Sequence, residues 1–195
     1  MKHCLDLPVF QSITPRTCGF NTVDIGGLTN ATILLMLLLM FIGASPGSTG
    51  GGIKTTSAGL LVAMIFNRFK GSEEVVNIFN RSIPREILTR TLSITFAATF
   101  FICLITAVLL VASDAHTNPI STRHLFLEYL FESVSAFGTV GLSMGVTPSL
   151  NDMQKSAIIL MMFAGRVGPL TLAFSLSFRR SGRELVYAEE AVMVG

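Results

Sequence analysis

Apolar residues fall into four blocks of unequal length, and the lengths predict different elements. Thr91 to Ala112 is 22 residues, about 33 Å as a helix, which matches a hydrocarbon core of about 30 Å. Ser156 to Phe178 is 23 residues and also reads as a crossing, with Gly165, Gly168 and Pro169 predicting a kink. Ala31 to Phe66 is 36 residues, about 54 Å if straight, too long for one crossing and too short for two with a turn. The run Ser45-Pro46-Gly47-Ser48-Thr49-Gly50-Gly51-Gly52 lies inside it, so the pattern predicts one crossing interrupted by a glycine loop. The last block, His124 to Phe137, is about 20 Å as a helix and ends in Gly-Thr-Val-Gly. It is too short to span and predicts a re-entrant helix, whose non-helical continuation is tolerated only where protein or a water-filled cavity lines it.

Composition agrees with a bilayer setting. Half of the 195 residues are hydrophobic and 13% are charged, against about 25% charged in ordinary soluble domains. A net charge of +2 gives no footprint for nucleic acid. Eight of the 14 basic residues sit in two segments, Arg68, Lys70, Arg81, Arg85 and Arg90 in one and Arg179, Arg180 and Arg183 in the other, and the positive-inside rule makes both cytoplasmic. The broken crossing then runs inward, Thr91 to Ala112 returns outward, Asp114 to His124 is external, and the final crossing ends inside. Cys4, Cys18 and Cys103 have neither the even number of a disulfide framework nor metal-ligand spacing. The N-terminal stretch lacks the sustained apolar core of a signal peptide.

An internal repeat ties these pieces together. Thr17-Cys18-Gly19-Phe20 and Thr139-Val140-Gly141-Leu142 stand 122 residues apart, and the same offset carries Leu28 onto Leu150, Phe41 onto Phe163, Gly43 onto Gly165 and Thr49 onto Thr171. With one residue of slippage, Phe10 to Thr14 pairs with Phe131 to Ser135. Each half therefore reads as a short helix, a Thr-x-Gly turn and a crossing, with one full span between the halves. In such a turn glycine reaches positive φ without a Cβ penalty, so successive carbonyls face one axis. Carbonyl rings of that kind replace the hydration shell of a cation, and Thr139-Val140-Gly141 copies the start of the TVGYG potassium filter. All eight residues of the two turns are candidate ion ligands.

The glycine loop misses the phosphate-loop pattern by one residue, since Ile53 precedes Lys54. Gly43-Ala44-Ser45-Pro46-Gly47 fits the G-x-S-x-G elbow of serine hydrolases, with Asp114 and His116 or His124 following. That rival requires a strand before the serine, whereas Leu34 to Ile42 is a helix-length apolar run. A purely structural membrane subunit is the other alternative.

Four motifs in order, ITPRTCGFNT, GASPGSTGGGIKTT, SAFGTVGLS and AGRVGPLTL, resemble the membrane subunit of Trk/Ktr-type potassium uptake systems, with the SPGSTGGG form and the short tail nearer to the Ktr branch. The resemblance implies an all-α membrane protein of potassium-channel-like M1-P-M2 repeats, with re-entrant pore helices and a broken transmembrane helix. It divides the chain into a partial third repeat (1–66), a cytoplasmic linker (67–90), a complete fourth repeat (91–178) and a cytoplasmic tail (179–195). Members of the family have four repeats around one pore, so the chain corresponds to a C-terminal part. The resemblance further implies potassium uptake at the plasma membrane, no enzymatic activity, and no cofactor in this chain beyond the transported ion, and it leaves sodium coupling open. It makes the loop Ser45, Pro46, Gly47, Ser48, Thr49, Gly50, Gly51 and Gly52 an intramembrane gate under the filter. The implied partners are a cytosolic nucleotide-binding regulatory subunit (KtrA/TrkA-like), docking near Asn67 to Arg90 and the tail, and a second copy in a homodimer of the full-length protein.

Two charges join the gate. Arg166 lies mid-span, where a charge faces a cavity or partner, and the repeat offset sets it level with Ala44, so it is expected to face the pore and hold loop carbonyls. Lys54, just past the loop, either shares that role or snorkels toward the cytosol. Glu132 is expected to brace the filter without meeting the ion.

Overall fold

The computed structural model describes residues 3–70, 76–78, 81–113 and 122–168. Six helices make up most of it: α1 (His3–Ile13), α2 (Asn30–Phe41), α3 (Thr55–Phe69), α4 (Arg85–Ala112), α5 (Thr122–Gly138) and α6 (Asp152–Val167). Two strands, β1 (Val76–Ile78) and β2 (Arg81–Ile83), pair antiparallel with Val76 opposite Ile83. Helices thus reach into the basic stretch expected to be linker: α3 continues to Phe69, α4 begins at Arg85, and the hairpin occupies the space between.

The centre of the fold is α5. It packs against α2, α4 and α6, and Phe131 to Phe137 is buried without a break. A helix buried on all sides shows no clean apolar stripe, and this one carries Glu132, Ser133 and Ser135 within that run. At 17 residues it is about 26 Å long, short of a crossing.

Among the described residues α4 alone is long and apolar enough to cross a membrane by itself. Ala98, Ile102, Ile105 and Leu109 form its buried stripe, while Phe96, Phe100 and Val111 are exposed. Its hydroxyls fold back on the helix: Thr91 Oγ1 donates to Ile87 O at 2.8 Å, Thr95 Oγ1 to Thr91 O at 2.9 Å and Thr99 Oγ1 to Thr95 O at 2.9 Å. Each of these hydroxyls is satisfied within the helix, as an apolar surrounding requires.

The 122-residue offset recurs in the backbone. Short 3₁₀ turns at Ile25–Gly27 and Thr147–Ser149 occupy matching positions, and Thr29 and Asn151, also 122 apart, are the N-caps of α2 and α6. The α6 cap is the stronger, because Gln154 Oε1 accepts from Asn151 N at 2.9 Å while its Nε2 donates to Leu109 O at 2.8 Å. The expected kink coincides with the end of α6: Gly168 has φ +82° and Pro169 follows. Residues 169–178 and the tail lie outside the described residues.

Candidate functional site: two Thr-x-Gly turns over a glycine loop

Both Thr-x-Gly turns start where a short helix ends. In the first, Cys18 N and Gly19 N donate to Thr14 O at 3.3 and 3.2 Å; in the second, Thr139 N donates to Ala136 O at 3.1 Å and Val140 N to Ser135 O at 2.9 Å. The amides of each turn are therefore drawn back to the helix end, and the turn carbonyls need not bond there. Gly19 (φ +70°) and Gly141 (φ +89°) are left-handed, and so are Thr17 (φ +63°) and Thr139 (φ +51°). A left-handed β-branched residue is a genuine outlier, and two of them at equivalent positions are the strongest local sign of a functional constraint. Alternating left-handed residues with ordinary ones turns consecutive carbonyls to the same side.

The two turns touch. A Cβ built on Gly19 would stand 2.0 Å from Val140 O, so only glycine allows this approach. Phe20 differs from the other candidate ligands, because its carbonyl accepts from Thr14 Oγ1 at 2.6 Å. Cys18 and Phe20 are exposed, whereas Val140 and Leu142 are buried.

The glycine loop closes on itself beneath the turns. Ser48 N donates to Ser45 O at 3.2 Å across Pro46 and Gly47 (φ +85°), the arrangement of a type II turn. At its base the loop returns to α2: Gly43 N donates to Ile53 O at 2.9 Å, Ile53 N to Phe41 O at 3.1 Å and Thr55 N to Ala44 O at 3.3 Å. These bonds satisfy helix-end groups that the break would otherwise orphan. Ser45 to Thr49 form an exposed tip, and Gly51 and Gly52 are buried. Gly51 N donates to Thr139 Oγ1 at 3.0 Å, and a Cβ on Gly51 would meet the Thr139 side chain at 2.7 Å.

Lys54 does not extend away from the loop. Its Nζ donates to Gly50 O at 2.7 Å and to Ser48 O at 3.2 Å. Arg166 lines a cavity of about 610 Å³ together with Thr139, Val140, Gly141 and Leu142. The carbonyl-holding role expected of Arg166 is filled, among the described residues, by Lys54. Glu132 lies behind the second turn and accepts from Ser143 Oγ and, at 2.9 Å, from Thr147 Oγ1. It anchors the segment that follows the turn. Sequence reasoning missed the left-handed threonines and the reach of Lys54.

Ser45 follows helix α2, not a strand, and His124 is on α5; Asp114 and His116 lie outside the described residues. The elbow geometry that a serine hydrolase requires is absent here.

A family described as TrkH, cation transport protein, matches residues 7–181. The chain belongs to that family. Among curated relatives it is 42% identical over 168 residues to Ktr system potassium uptake protein B of Bacillus subtilis, covering 86% of this chain and 36% of the relative. It is 39% identical to potassium/sodium uptake protein NtpJ of Enterococcus hirae, covering 95% of this chain and 40% of that protein. The crystal structure of the potassium transporter TrkH from Vibrio parahaemolyticus superposes with a TM-score of 0.75 at 20% identity, covering 90% of this chain and 37% of that one. The chain thus spans less than half the length of the family members it matches, and its fold is theirs. Membership of a cation transport family leaves the hydrolase reading without support.

Proposed function

We propose that the chain forms part of the wall of a potassium-conducting pore in a cell membrane, with the two Thr-x-Gly turns as two sides of its selectivity filter and the loop Ser45 to Gly52 as its gate. The observation that carries this reading is the paired left-handed Thr and Gly in each turn, meeting over a loop bonded to Thr139. Carbonyls from Thr17, Cys18, Gly19, Thr139, Val140 and Gly141 replace water around a dehydrated cation. Phe20 contributes least, since Thr14 already occupies its carbonyl.

A filter needs more than two sides, and α6 supports their existence. In α2, Met40 is buried and Phe41 stacks at 6.5 Å on Phe137 of α5. Their mates 122 residues on, Met162 and Phe163, are 46% and 64% exposed, as expected if another pore helix packs there in the complete transporter. Cytosolic regulation by a nucleotide-binding subunit and pairing of full-length copies belong to the same reading, by analogy with Ktr systems. The basic residues near both ends of the α3–α4 connection suit the cytoplasmic side.

The test is ion discrimination in the complete transporter. Gly19→Ser and Gly141→Ser each place a side chain on a positive-φ position and rotate a carbonyl from the axis. Potassium uptake relative to sodium uptake is expected to fall in both. Unchanged discrimination in both variants would remove the filter assignment.

A further inference from the structure

One peptide group in the loop is held from both sides. The carbonyl between Gly50 and Gly51 accepts from Lys54 Nζ at 2.7 Å, and the N–H of the same peptide donates to Thr139 Oγ1 at 3.0 Å. Carbonyl and N–H of a trans peptide point in opposite directions, so Thr139, the first residue of the second turn, and Lys54, at the head of α3, grip one rigid plane between them. Both residues flanking that plane are glycines, for which rotation of the plane meets no Cβ barrier.

We propose that the gate switches by rotation of the Gly50–Gly51 peptide, clamped shut by Lys54 and Thr139. This inference rests on the pore reading above and specifies how the loop of that pore is controlled. In the structure the peptide presents its N–H, the positive end of its dipole, to the inner end of the candidate filter, and the Lys54 ammonium adds a full charge behind it. Both repel a cation leaving the filter. Rotation by about half a turn breaks both bonds together, releases the ammonium, and presents the carbonyl to the filter in place of the N–H. A repelling group then becomes a cation ligand of the kind that the filter itself uses. Thr139 is a positioning residue in this scheme as well as a candidate ligand, because its hydroxyl reports the state of the loop to the filter.

The experiment uses the complete transporter and rubidium uptake in the resting state. Lys54→Met removes the charge-assisted hydrogen bonds to Gly50 O and Ser48 O, the first of which grips the peptide, and resting uptake is expected to rise about tenfold. Lys54→Gln, which keeps a neutral donor, should fall between. Thr139→Val removes the opposite grip, and because rotation must break both bonds together their contributions add in free energy, so the double variant should raise resting uptake by about the product of the two single effects. A double variant no more active than the better single one would mean that only one of the two bonds restrains the peptide, and would overturn the two-sided clamp. If Thr139→Val abolishes conduction, amide hydrogen exchange at Gly51 in Lys54→Met decides the matter: loss of the carbonyl grip should speed exchange of the N–H on the other side, and unchanged protection would overturn the proposal. Shortening of Ser48 to Gly51 separates the two levels of inference. If shortening raises resting uptake while Lys54→Met does not, the loop is the gate and the clamp is wrong; if neither does, the gate assignment falls and the clamp with it.

Discussion

The two halves of the chain meet the same position with opposite solutions. Gly43 and Gly165 stand 122 residues apart, and each is squeezed against a carbonyl: a Cβ would stand 1.9 Å from Gly51 O in the first and 2.1 Å from Phe137 O in the second. Yet α2 stops at Phe41 while α6 continues through its glycine to Val167. Sequence just beyond decides between them. Pro46 follows Gly43 by three residues, inside the turn that a continuing helix would need, and its ring excludes the helical bond. In α6 the proline comes one residue later relative to its glycine, at Pro169, and the helix ends at Val167, with Gly168 between them. The same small residue therefore admits a returning loop in one repeat and a close neighbouring helix in the other.

The two Thr-x-Gly turns sharpen this comparison first and with the largest effect. Gly19→Ser both strains a left-handed backbone and strikes Val140 O, so potassium uptake by the complete transporter should drop about a hundredfold, from ~3 kcal/mol of combined strain and overlap. A Cβ on Gly141 meets nothing within 4 Å in this chain. An equal loss in Gly141→Ser would show that a further turn closes the ring there, and a smaller loss would show that the filter is lopsided.

Next come the two squeezed glycines. Gly165→Ala should lower the melting temperature of the purified transporter, reflecting about 1–3 kcal/mol of overpacking between α6 and α5. Gly43→Ala displaces the loop, so its effect should appear as raised resting uptake with a smaller thermal shift. Matching thermal shifts and matching fluxes in the pair would erase the distinction between hinge and helix contact.

Arg166→Gln tests the remaining charge. On the pore reading a cation in the 610 Å³ cavity meets the exposed Arg166 guanidinium, and its removal should raise potassium flux several-fold at low ionic strength, equivalent to about 1 kcal/mol of solvent-screened repulsion. Flux unchanged across salt concentrations would take Arg166 out of the conduction path.

The smallest contrast lies behind the turns. Glu132 receives two hydroxyls, whereas its counterpart Gln11 offers only a contact from Nε2 to Met36 Sδ at 3.9 Å. Glu132→Ala should destabilise the fold by about 1–3 kcal/mol, and Gln11→Ala by less than about 1 kcal/mol, both read from thermal melts in detergent.

The repeat, the short central helix and the broken segment were legible in sequence because they rest on block length and on glycine and proline, whose backbone effects are intrinsic. The left-handed threonines were not. Nothing about a β-branched residue suggests positive φ, and only the helix end behind it, drawing back the next amides, sets that conformation. Lys54 was half legible: its position beside the loop was plain, but whether its flexible stem folds toward the loop depends on where the loop carbonyls point. The hairpin strands Val76–Ile78 and Arg81–Ile83 are too short to leave a periodic signal, and the helix ends around them carry the charges that suggested a cytoplasmic segment.

The return of the loop to α2 has a mechanical side. Three hydrogen bonds, from Gly43 N, Ile53 N and Thr55 N, join the two flanks of the break, with Ile42 and Ile53 running parallel. A tug on α3 from its Phe69 end would load those bonds together, in shear, and leave the loop tip beyond them slack. Bonds loaded together share tension and fail together, unlike bonds peeled one by one. A pull below that threshold would leave the tip undisturbed, and one above it would release the whole break in a single step, so a partner acting through α3 would obtain an abrupt response from a gradual force.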